Sequence, residues 1–129
     1  MIIDSSALLA ILLNEPERTS FQRALKEDQT RLISTATLLE ASVVVLGRRG
    51  EPGVAELHLL IADAEVETVA FTPEHLALAL EAFRRFGKGR HPASLNFGDC
   101  FSYALAKATN EPLLFKGDDF SKTDIGRVI

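Results

Sequence analysis

Short apolar runs alternate with longer segments of helical spacing along this chain, and that alternation narrows the choice of fold sharply. The runs are MII (1–3), RLIS (31–34), VETVAF (66–71) and PLLF (112–115). Between them, apolar residues recur every three or four positions, as in Phe21, Ala24 and Leu25, or Val54, Leu57, Leu60 and Ile61. That spacing places them on one face of a helix. Helices are expected over 6–13, 17–26, 35–48, 53–64, 73–86 and 96–109, with Arg49-Gly50 and Pro52 separating the third from the fourth. Thr72-Pro73 offers a hydroxyl N-cap followed by proline at the first helical position. Strands separated by helices pair in parallel, with helices packed on both faces of the sheet. Val128-Ile129 is a candidate final edge strand.

A chain of 129 residues, 47% of them hydrophobic, suffices for one domain spanning 1–129 with a real core. Its formal net charge is -4. Nucleic-acid binders are often basic overall, so contact with RNA or DNA here requires a local basic patch or bound cations. A single cysteine, Cys100, rules out an internal disulfide. With no basic n-region or small-residue cleavage site at the start, the expected setting is reducing and cytoplasmic. No apolar run reaches the ~18–20 residues of a membrane span.

In parallel sheets, functional groups collect beyond the carboxyl ends of the strands. Acids occupy those positions. Asp4 follows the first strand, Glu40 lies early in the helix after the second, Asp99 opens the helix at 96–109, and Asp118-Asp119 follow the last strand. Each also has an ordinary structural role. Asp4 can cap the next helix, although Ser5 or Ser6 can start it and leave the carboxylate free. Asp99 stands three residues after Asn96, where the helix dipole favours an acid. Asp118-Asp119 after Gly117 suits a turn. Glu40 stands three after Thr37 as in a capping box, but Ser34 or Thr35 caps equally well and puts Glu40 a turn too deep. It also interrupts a nearly continuous apolar stretch, 38–45, that is expected to be largely buried. Apart from Lys116, no basic residue neighbours these acids in sequence. Clustered carboxylates repel one another, and a divalent cation relieves that. Oxygen donors without histidine or cysteine at metal spacing favour Mg²⁺ or Mn²⁺ over zinc. A carboxylate cluster with such ions suits phosphodiester hydrolysis.

The four blocks MIIDSSALLAIL, STATLLEASVVV, LNFGDCFSYALA and LLFKGDDFSKTDI, in this order, resemble the PIN-domain ribonucleases, and within them the VapC-type toxins of toxin–antitoxin pairs. The resemblance implies a three-layer α/β/α sandwich around a mainly parallel sheet of four to five strands. It implies a Mg²⁺-dependent endoribonuclease, with Mn²⁺ as a substitute, that cleaves RNA by attack of activated water on phosphorus. Asp4 and Asp99 are then the direct metal ligands, Glu40 acts through water on the metal, and Ser6 supports Asp4. The fourth acid is Asp119 counted back from Phe120, or Asp118 as compensation for Lys116-Gly117 after the strand, and Asp119 is preferred. The implied partner is a VapB-type antitoxin.

Arg84, Arg85, Lys88, Arg90 and His91 crowd the approach to the Asp99 helix. Lys88, Arg90 and Lys116 are the candidate RNA contacts, weighed against a solvated helix end. His58 and His75 read as surface residues; Cys100, Phe97, Phe101 and Tyr103 read as core. Leu9, Ile11, Leu12, Val43 and Leu46 exceed what one buried face needs, which points to a homodimer or a partner helix. The competing readings are a non-catalytic PIN-like module that binds RNA or a partner, and other acid-pocket α/β proteins. A haloacid-dehalogenase-type phosphotransferase needs an aspartate at position 6, where this chain has serine. A receiver domain needs an acceptor aspartate after a central strand, and none follows VETVAF.

Overall fold

The structure, a computed structural model, describes residues 1–129. Four strands form one sheet: β1 (Ile2–Ile3), β2 (Leu32–Ser34), β3 (Glu67–Val69) and β4 (Leu113–Leu114). Their spatial order is β3-β2-β1-β4, and every pairing is parallel. Five helices accompany them: α1 (Ser5–Leu12), α2 (Arg18–Glu27), α3 (Thr35–Asp63), α4 (Pro73–Phe86) and α5 (Phe97–Thr109). The α/β expectation holds. The proposed edge strand at 128–129 contracts to a single bridge, Leu113 to Arg127.

Alternation along the strands splits the core in two. Ile3, Ile33 and Leu114 face one side and pack with α1, α2 and α3. Ile2, Leu113 and Phe115 face the other and pack with α4 and α5. Period-two side chains on a buried parallel sheet require this, and three layers result.

The expected helices at 35–48 and 53–64 both form, numbered together as α3, and they are separated as expected at a kink where Gly50 leaves helical geometry with φ 66°, ψ −160°. Gly50 tolerates this positive φ because it has no Cβ, and Pro52, two residues on, removes a backbone donor. Ser34 caps α3, its hydroxyl accepting from Ala36 N, as expected. The stretch around Glu40 is not buried all round: Leu39, Val43 and Leu46 are 64%, 60% and 47% exposed. Spaced by four and three, they form a bare apolar stripe on one side of α3. Ile11, by contrast, is core. Two further expectations change. His75 is buried, packed edge-on to Phe71 at 6.1 Å, whereas His58 is exposed. Phe97 is 79% exposed rather than core. No helix is long and apolar enough to cross a membrane.

The closing segment is tied down by Asp124. Tyr103 Oη donates to Asp124 Oδ1 at 2.7 Å, and Lys107 Nζ and Arg85 donate to Oδ2 at 3.0 and 3.4 Å. Phe120, at the start of a short 3₁₀ turn (Phe120–Lys122), is buried against Phe115. Asp119 immediately precedes that anchored residue.

Candidate active site

The chain adds β2 and then β3 on one side of β1 and returns to place β4 on the other. The switch in direction therefore lies between β1 and β4, where ligands bind in open parallel sheets. Asp4 occupies it: its backbone N–H donates to Leu114 O at 3.0 Å.

Helix α1 does start at Ser5, but Asp4 is its N-cap, so the expectation that a serine start leaves the Asp4 carboxylate free is corrected. Oδ2 accepts from Ser6 N at 3.0 Å and Ser6 Oγ at 2.6 Å. Oδ1 accepts from Ser102 Oγ at 2.6 Å. A short polar side chain after an extended residue is the favoured cap, so capping and site placement coincide in one residue. Ser6 does support Asp4, and its Oγ also accepts from Lys116 N at 3.0 Å, linking Asp4 to the end of β4.

Glu40 reaches the same place from α3. Its Oε1 accepts from Ser5 Oγ at 2.8 Å. Its Oε2 rests on Gly98, where a Cβ would lie 1.7 Å away. Asp99 belongs to a complete capping box with Asn96: Asn96 N donates to Asp99 Oδ2 and Asp99 N to Asn96 Oδ1, both at 2.9 Å. Despite that stabilising bond, its carboxyl is pushed up to about 7, first by burial and then by the charges of Asp4, Asp119 and Glu40. Three acids from three other segments therefore act on Asp99. Asp119 is among them and Asp118 is not, which favours Asp119 as the fourth. Asp119→Asn is expected to move the Asp99 titration downward in the metal-free protein, and Asp118→Asn to leave it in place. Carboxyl-carbon NMR titration reads both.

No three of these carboxylates close on one point as a ready-made cage. Mg²⁺ does not need one, because it keeps several waters and takes only one or two carboxylates. Asp4 and Asp99 each retain an oxygen with an open lone pair, and no basic side chain pairs with either. The donor set fits a hard divalent cation.

The basic candidates fare unevenly. Lys116 Nζ is held by Glu15, and by Glu17 at 3.4 Å, which draws it away from the acids. Arg84 pairs with Glu81, Arg85 with Asp124, and His91 Nδ1 accepts from Ala93 N. Lys88 has no acidic partner; Arg90 lies over the Phe83 ring at 5.8 Å and has none either. These two remain available to phosphate. The reading of the sequence missed Ser5, Thr37, Gly98 and Ser102 as site residues. The one available signal was a hydroxyl within an apolar helix at i,i+3 from an acid: Thr37 before Glu40 and Ser102 after Asp99.

The PIN domain model matches residues 1–126. This chain belongs to the PIN-domain family. Within it the chain is of VapC type: it is 51% identical over 128 residues to ribonuclease VapC30 of Mycobacterium tuberculosis, covering 99% of this chain and 98% of that one. It is 50% identical to a ribonuclease VapC of Mycolicibacterium smegmatis, covering 99% of each chain. Among solved structures, the PIN fold matches the sarcin–ricin-loop-cleaving toxin VapC20 of M. tuberculosis with a TM-score of 0.77, at 17% identity over 96% of this chain and 95% of that one. It also matches VapBC2 of Rickettsia felis bound to a promoter DNA fragment, with a TM-score of 0.76 at 15% identity over 98% of this chain and 94% of that one.

Proposed function

We propose that this VapC-type PIN domain is a Mg²⁺-dependent endoribonuclease, with Mn²⁺ able to substitute. It is the toxic half of a pair restrained in the cytoplasm by a VapB-type antitoxin. The observation that carries the reading is the knot of Asp4, Glu40, Asp99 and Asp119 at the switch point, with the Asp99 carboxyl raised to about 7. The ribonuclease names of relatives at 50–51% identity support the choice of RNA. Asp4 and Asp99 hold the ion, which supplies positive charge against the phosphodiester and a more acidic water. Ser6 fixes one oxygen of Asp4. Glu40, anchored by Ser5, accepts a proton beside them, and Asp119 adds negative charge that draws the cation in. Lys88 and Arg90 contact RNA phosphates outside the acids.

The test incubates the purified chain with RNA in Mg²⁺, in EDTA, and as Asp4→Ala and Asp99→Ala. Cleavage by the wild type in Mg²⁺ alone is expected. No cleavage, or equal cleavage by the variants, overturns the reading; RNA retained without being cut favours the non-catalytic binding module instead. Growth arrest on expression, relieved by a small protein encoded beside it, tests the toxin role.

The same chain forms a homodimer in this reading. An all-apolar groove of about 780 Å³ opens between α4 and the start of α5, lined by Phe71, Leu76, Leu80, Phe83, Phe97 and Phe101 among others. Leu76 and Phe97 are 57% and 79% exposed on its rim, so the groove presents apolar side chains that a second copy covers in this reading. Phe97→Ser is expected to shift the sedimentation profile from dimer to monomer.

A further inference from the structure

A serine inside a helix can point its hydroxyl to solvent or turn it back onto the carbonyl four residues earlier. Two hydroxyl side chains here turn back: Ser42 donates to Leu38 O and Thr109 to Leu105 O, both at 2.7 Å. Ser102, fully buried on α5, does not. It donates across the molecule to Asp4 Oδ1 at 2.6 Å. Thr37, 1% exposed on α3, meets Ser102 Oγ at 3.3 Å. The direction of this chain follows from donor and acceptor counts. A carboxylate only accepts, so the single proton of Ser102 goes to Asp4. Ser102 Oγ then accepts from Thr37, and the order is Thr37 O–H to Ser102 O–H to Asp4.

The count on Asp4 gives this chain its role. A carboxylate offers about two acceptor positions on each oxygen. Ser6 N and Ser6 Oγ fill both on Oδ2. Ser102 fills one on Oδ1, so the remaining open position is on the oxygen that Ser102 holds. Resting on the nuclease reading above, we propose that Ser102, backed by Thr37, is a positioning residue that aims Asp4 Oδ1 at the divalent cation. The pair also joins three of the segments that deliver acids. Thr37 shares α3 with Glu40, Ser102 shares α5 with Asp99, and both converge under Asp4. Groups behind a metal ligand typically change affinity by about 10–100-fold when removed, because they orient the ligand and set its basicity.

The test is Mn²⁺ binding to the full chain by calorimetry, with thermal unfolding alongside. Ser102→Ala is expected to weaken Mn²⁺ binding by about 10–100-fold. Thr37→Val, nearly the same shape without the hydroxyl, is expected to weaken it by a smaller factor, and Thr37→Ser to restore it. Ser42→Ala, which removes a hydroxyl bonded only to its own helix, is expected to bind Mn²⁺ as the wild type does. Asp4→Asn separates the two levels. If it binds Mn²⁺ unchanged, the metal-site reading fails. If it loses Mn²⁺ while Ser102→Ala and Thr37→Val stay within two-fold of the wild type, the positioning role fails. Should Ser102→Ala not fold, the Thr37→Val and Thr37→Ser pair decides alone.

Discussion

Asp99→Asn is expected to abolish RNA cleavage and, above pH 7, to raise the melting temperature of the metal-free protein. Both effects follow from one carboxyl held at about 7 by burial and by the charges of Asp4, Asp119 and Glu40. In the unfolded chain an aspartate titrates near ~3.9. Between that value and about 7, the folded state binds more protons than the unfolded one. Stability of the metal-free fold therefore falls as pH rises through this window and levels off above it. Asparagine has no charge to lose, and its side-chain oxygen still accepts from Asn96 N in the capping box. The variant and the wild type are expected to melt together near pH 4, with the variant progressively higher toward pH 8. A melting series in EDTA checks this; a gap that stays constant or narrows with pH overturns it. Mg²⁺ or Mn²⁺ should raise the wild-type melting temperature more at pH 8 than at pH 6, because the ion relieves the same repulsion. Removing a metal ligand forfeits several kcal/mol of charge stabilisation, and at ~1.4 kcal/mol per factor of ten the cleavage rate falls by about 10²–10³-fold or more.

The sheet and its acids were legible in the sequence for a common reason. Both depend on local order along the chain: a strand, then the polar residue that ends it. Asp4, Glu40, Asp99 and Asp119 each follow a strand or open the helix beside one, and parallel pairing brings those ends to one edge. The exceptions depend on contacts the chain order does not encode. Ser102 meets Asp4 across 98 positions and Thr37 across 65, and nothing in the hydroxyl spacing reveals which way each side chain turns. Lys116 sits beside the acids in sequence, yet its side chain is drawn to Glu15 and Glu17 in the α1–α2 connection. Periodicity identified the apolar residues of α3 but not which of them are covered: Leu39, within the stretch expected to be largely buried, is exposed, as are Val43 and Leu46, which exceeded the needs of one buried face. Phe97 and His75 exchanged their expected places for the same reason. Asp4 shows a different limit: a cap and a metal ligand require the same residue in the same place, and the sequence does not separate them.

Gly98→Ala is expected to cut the cleavage rate about as deeply as Glu40→Ala while leaving the melting temperature nearly unchanged. Gly98 lies in the first turn of α5, where alanine is the better helix former by up to ~1 kcal/mol. Its added Cβ, however, falls 1.7 Å from Glu40 Oε2, 2.6 Å from Cδ and 2.9 Å from Oε1. The obstructed group is the end of a flexible side chain, not backbone, so Glu40 swings outward and the fold survives. The move breaks the bond from Ser5 Oγ at 2.8 Å, and a hydrogen bond to a charged group contributes about 1.5–3 kcal/mol when well formed. Half-burial of Glu40 places its loss toward the low end, which the helix gain largely offsets. The catalytic loss has no such offset, because the carboxylate leaves the position beside Asp99. Coupling makes the test specific. If Gly98 serves only to seat Glu40, Gly98→Ala in a Glu40→Ala background costs nothing further, since two changes that remove one interaction do not add. A further drop in that background, or a fall of many degrees in melting temperature for the single variant, would show that Gly98 holds up the helix rather than the glutamate.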